Sequence, residues 1–138
     1  MLPNHLPLIN LGKYWKNGPL KAILFILLFI VSFIVFTLPS SKVPRIYWLT
    51  IPQFDKVIHA GIFISLCSSA YLWLVSIFPD FEKRIAMTIV LIMALYGIII
   101  EFIQVNFIIG RSFELLDILA DLAGCLIFLG FRFFIKRL

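Results

Sequence analysis

The chain has 138 residues, is 62% hydrophobic and 14% charged, and has a mean hydropathy of +1.08 with a formal net charge of +5. A soluble domain of this length has too little interior to hide so much apolar side chain, so lipid is the solvent the composition calls for. The basic residues flank apolar runs, as bilayer orientation requires, which argues against the nucleic-acid partner that a basic chain would otherwise suggest.

Residues 1–19, MLPNHLPLINLGKYWKNGP, mix prolines, lysines and aromatics. They read as an interfacial lead-in with Tyr14 and Trp15 at headgroup level. The first apolar run covers 20–38 and is broken only by Lys21, Ser32 and Thr37. A signal peptide is the rival reading, because TLPSS follows a basic and then apolar segment. The run is longer than most signal-peptide cores and no A-x-A site follows, which favours an uncleaved helix. Pro39 and Pro44 then punctuate a loop whose Tyr47 and Trp48 suit the membrane surface.

Further apolar runs cover 57–78, 85–106 and 113–135. None shows the alternation of a barrel strand, and all have the length of a helical crossing. The expected fold is therefore an all-α membrane bundle of four transmembrane helices, filling residues 20–138 as one domain. Cys67 and Cys125 fall inside apolar runs without metal-ligand spacing, so neither a disulfide framework nor a zinc ribbon is expected.

Lys13, Lys16 and Lys21, Lys83 and Arg84, and Arg132, Lys136 and Arg137 share one side of a four-crossing chain. The positive-inside rule makes that side, and both termini, cytoplasmic. Lys42, Arg45 and Lys56 in and beside the first loop weaken the contrast.

This topology gathers polar residues at the outer end. Asp55, Lys56 and His59 enter helix two, Glu101 and Gln104 leave helix three, and Arg111, Ser112, Asp117 and Asp121 enter helix four. Asp55 and His59 are four apart, Glu101 and Gln104 three apart, and Asp117, Asp121 and Gly124 form one helical row. Charges at such depth cost about 2.5 to 3.5 kcal/mol each on insertion scales, so they should face one another or a wet pocket. Asp55, Glu101, Asp117 and Asp121, if clustered against Lys56, Arg111 and His59, cannot all be paired one to one, so either some carboxyls are protonated or a cation or cationic group joins them. Structural roles compete with this. Asp55 and Ser112 are candidate N-caps, with Glu114 in the first turn of helix four, and Gly97 and Gly124 are candidate points of close helix approach.

DKVIHAGIF at 55–63, YGIIIEFIQ at 96–104 and GRSFELLDILADLAG at 110–124 together resemble the VanZ-like family of bacterial membrane proteins. The resemblance rests on an ordered D-K-x-x-H, E-x-x-Q and G-R-x-x-x-x-x-D set over helices two to four. The chain departs at Asp121, where family members commonly carry asparagine. The resemblance implies a multi-pass protein of the bacterial cytoplasmic membrane with a link to susceptibility to glycopeptides such as teicoplanin, a lipidated molecule acting at the outer leaflet.

Three functions follow as expectations. The first is a pocket for a lipid headgroup, a lipid-linked envelope precursor or a lipoglycopeptide, in which Arg111 and Lys56 meet an anionic group while Glu101, Gln104 and Asp117 orient Arg111 and His59. The second is an enzyme acting on a lipid-linked substrate, with His59, Glu101 and Asp117 as catalytic candidates or as ligands of a divalent ion. The third is a structural or partner-binding bundle whose charges only lock the helices. No motif names a cofactor or a specific reaction. A transporter is disfavoured, because four helices are few for a path and the inner halves look empty of polar groups.

Overall fold

The computed structural model describes residues 18–42 and 52–135. The expected interfacial lead-in, the Tyr47–Trp48 pair and the basic tail at Lys136 and Arg137 lie outside the described residues, apart from the first residues of α1. The described residues form an all-helical structure: α1 Gly18–Thr37, α2 Phe54–Ile77, α3 Glu82–Phe107 and α4 Leu115–Ile135, with short 3-10 turns at Ser40–Lys42 and Pro79–Phe81. Three segments, Gly18–Thr37, Phe54–Ile77 and Pro79–Phe107, are long and apolar enough to cross a membrane, with mean hydropathies of 2.7, 1.8 and 2.4. The fourth helix has 21 residues and carries Asp117, Asp121 and Arg132 along its length.

What the helices expose agrees with an apolar surrounding. In α1 only Gly18, Ser32 and Phe36 are buried, while Leu20 is 70% and Leu27 55% exposed. Leu91 on α3 and Phe131 on α4 are equally bare, at 63% and 65%. Contiguous apolar surface on this scale is a solubility liability in water and ordinary in lipid.

Helices α2 and α3 occupy the middle, with α1 and α4 on opposite flanks that do not pack against each other. The α2–α4 pairing is the most extensive. These two helices run parallel, so side chains at one height are 58 to 62 positions apart in sequence, as in Lys56–Glu114, His59–Asp121, Cys67–Cys125 and Tyr71–Arg132. Gly124 permits their closeness: a Cβ there would lie 2.5 Å from the carbonyl oxygen of Ala60 and 3.0 Å from Phe63 Cβ. In the middle, Phe63, Cys67 and Cys125 are fully buried, and the two free cysteine sulfurs lie 3.7 Å apart. Ser32 and Tyr96, 3.1 Å apart across α1 and α3, satisfy each other inside the same core.

Candidate functional site

The C-terminal ends of α1 and α3 and the N-terminal ends of α2 and α4 meet at one end of the bundle. Helix α2 begins three residues before its expected start, at Phe54, so Asp55 lies in the first turn and is not the N-cap. Gln53 precedes the helix in a left-handed conformation at φ 63° and caps nothing with its side chain. The early start carries His59 into the second turn, where it is 6% exposed beneath the Phe36 ring, with ring centroids 4.6 Å apart.

Lys56 sits at the centre of the carboxylates. Its Nζ lies 2.7 Å from Asp55 Oδ2, 2.5 Å from Glu114 Oε2 and 2.5 Å from Asp117 Oδ1. Asp55 and Glu114 are about half exposed, at 53% and 49% of their side chains, whereas Asp117 is 7% exposed, so the pair with Asp117 is the costly one to break. His59 lies one turn deeper. Its Nδ1 is 2.9 Å from Asp121 Oδ1, and Nε2 faces Asp117 Oδ2 at 3.9 Å. This contact fixes the orientation of the ring and leaves Nε2 turned towards Asp117. Gly97 of α3 makes room for the Asp121 carboxylate, since a Cβ there would stand 2.8 Å from Oδ2.

Glu101 and Gln104 are each 2% exposed and serve the backbone. Glu101 Oε1 accepts from the Glu114 N–H, 2.5 Å away, just ahead of α4. That carboxylate does the work expected of Ser112, which is exposed and makes no hydrogen bond among the described residues; α4 starts only at Leu115. Gln104 Nε2 donates to the Phe36 carbonyl at 2.8 Å, satisfying the C-terminal end of α1. Arg111, in the turn that Gly110 enters at φ 81°, reaches the Leu38 carbonyl through Nη2 over 3.4 Å. Its Nε is buried without a partner among the described residues.

The structure thus brings Asp55, Lys56, His59, Asp117 and Asp121 into one contact network, joined by Glu101 through Glu114. Gln104 and Arg111 are tied to the adjoining end of α1, and Ser112 is left outside. For a metal ion, the expected set of His59, Glu101 and Asp117 gives way to a tighter one. Ligand atoms of Asp55, Glu114 and Asp117 lie within 4.8 Å of one another. The Lys56 ammonium touches all three, and so takes the place and supplies the charge that an ion would.

A second polar cluster, at the opposite end, had no sequence expectation. Arg132 Nε donates to Tyr71 Oη at 2.9 Å and its Nη2 to Glu82 Oε1 at 2.5 Å, while the Tyr71 hydroxyl donates to the same Glu82 oxygen at 2.7 Å. That half of the bundle is therefore not empty of polar groups. Compared with protein-family models, curated proteins and solved structures, the chain matches none.

Proposed function

We propose that the chain is a VanZ-like, four-span protein of the bacterial cytoplasmic membrane, with both termini cytoplasmic and the Lys56–His59 cluster at the outer end. Its role in this reading is to bind the anionic headgroup of an amphiphile, such as a membrane lipid, a lipid-linked envelope precursor or a lipoglycopeptide, and so to influence envelope composition or glycopeptide susceptibility. Helix α4 serves as the fourth span. Its 21 residues cover about 31 Å at the helical rise, and its three charged side chains, Asp117, Asp121 and Arg132, are at most 7% exposed.

One observation carries the headgroup reading. Lys56 is committed to three carboxylates, whereas Arg111 has a buried Nε without a partner among the described residues and one long contact to a carbonyl. A guanidinium with unused donors at the level of the headgroups is the natural partner of a phosphate or carboxylate. Arg111→Ala protein, folded as judged by an unchanged unfolding midpoint, should lose about tenfold in affinity for phosphatidylglycerol, the scale of one charge-assisted hydrogen bond. Native mass spectrometry of detergent-released protein titrated with this lipid reads the ratio directly. Equal affinities would remove the pocket reading.

The His59 geometry favours one alternative, an enzyme acting on a lipid-linked substrate. Asp121 orients Nδ1, and Nε2 faces the space beside Asp117, the arrangement of a positioned general base. On this alternative, turnover of an undecaprenyl-linked substrate by the purified protein should vanish in His59→Gln, and the absence of turnover in the parent protein would dismiss it.

A further inference from the structure

We infer a second ligand site at the end opposite the Lys56–His59 cluster, where Arg132 takes one phosphodiester oxygen of a membrane phospholipid whose acyl chain lies in the adjoining cavity. The cavity has a volume of about 300 Å³ between the C-terminal halves of α2 and α4. Its walls are mainly apolar, with Leu72, Phe128 and Phe131 along the sides and Arg132, Tyr71 and Glu82 forming one polar corner. Leu72 and Phe131 are 53% and 65% exposed, so the cavity opens where α2 and α4 face lipid.

The polar corner has capacity left over. Arg132 is 7% exposed, its Nε and Nη2 are bonded to Tyr71 and Glu82, and its guanidinium carbon lies 5.2 Å from the centroids of both the Tyr71 and Phe133 rings. Its Nη1, however, is buried with no partner among the described residues. Leaving a charged donor buried and unpaired is costly. An acceptor oxygen relieves that cost.

The neighbours of Nη1 limit what that acceptor can be. Glu82 already places one negative charge against the guanidinium, so a dianion, with its second negative charge, is repelled more than a monoanion. A phosphodiester, with one negative charge and two non-bridging oxygens, can give one oxygen to Nη1 while its chains follow Leu72 and Phe131. A phosphate monoester fits less well on charge alone. The requirement is for a phosphodiester on an apolar tail.

Photolabelling can test this. Protein in nanodiscs is exposed to phosphatidylglycerol carrying a diazirine on one acyl chain, or to diacylglycerol carrying the same group, and the labelled peptides are mapped. The phosphatidylglycerol probe should label peptides containing Leu72 or Phe128 to Phe131 about tenfold more than the diacylglycerol probe, and Arg132→Gln should erase the difference. Glu82→Gln keeps the size of the side chain and removes the competing charge, so it should raise labelling by at least about twofold. This second variant decides the matter if Arg132→Gln fails to fold. Equal labelling by the two probes, or no rise in Glu82→Gln, overturns the site. Loss of labelling in millimolar inorganic phosphate overturns the lipid as its occupant. Label found only between residues 101 and 117 also overturns it, while leaving the Arg111 pocket standing.

Discussion

Lys56→Ala should lower the stability of the protein in detergent by about 2 to 3 kcal/mol, measured by SDS-driven unfolding followed by circular dichroism. Removing one partner of a buried ion pair commonly costs about 3 to 5 kcal/mol, because the charge left behind has nothing to face. The expected loss is smaller because two of the three carboxylates around Nζ, Asp55 and Glu114, are about half exposed and can turn to water or headgroups. Asp117, 7% exposed, has no such escape. Removing its charge as well should therefore recover most of the loss, and the Lys56→Ala/Asp117→Asn double variant should be clearly more stable than Lys56→Ala alone. If instead the two losses simply add, Asp117 is solvated by something else and the ion pair is not what holds α2 to α4 at this end.

Gly124→Leu should be the most damaging single change in the middle of the bundle. Even the first carbon of a side chain at this position would stand 2.5 Å from a backbone oxygen of Ala60, and backbone cannot step aside as a side-chain tip can. Gly124→Ala should cost about 1 to 3 kcal/mol, the usual scale of overpacking, and Gly124→Leu more, since it must part the most extensive pairing in the molecule. Gly61→Ala is the internal control. Nothing lies within 4 Å of a Cβ there, so this change should be neutral or stabilise α2 by up to about 1 kcal/mol. An unfolding midpoint for Gly124→Leu equal to that of Gly61→Ala would mean that α2 and α4 do not pack at this glycine.

The helices were legible because apolar runs as long as a bilayer leave few alternatives, and all four appear within a few residues of their expected bounds. The meeting of Asp55, Lys56 and His59 with Asp117 and Asp121 was legible for a related reason. Four alternating helices put the starts of α2 and α4 at one level, and helical spacing put each pair on one face. What sequence spacing does not carry is who bonds to whom. Ser112 has the chemistry of a cap, yet the cap is Glu101 from another helix, a contact that depends on how closely α3 and α4 approach. Glu114, read only as a first-turn acid, proves to be one of three partners of Lys56. The Arg132–Tyr71–Glu82 cluster escaped because a terminal arginine reads first as a topology signal. A usable signal was nonetheless there. Parallel α2 and α4 repeat one offset along their length, and extending it from His59–Asp121 at 62 positions leads to Tyr71–Arg132 at 61.

Whether the Arg111 end opens outward is the point on which the proposed function turns, and the labelling of Ser112→Cys tests it most directly. Ser112 is exposed beside Arg111, while Cys67 and Cys125 are fully buried and should not compete for a bulky reagent. In intact bacterial cells expressing this variant, a membrane-impermeant maleimide should modify position 112 fully without permeabilisation. Modification that occurs only after the membrane is opened would place the cluster on the cytoplasmic side and contradict an outer-leaflet ligand.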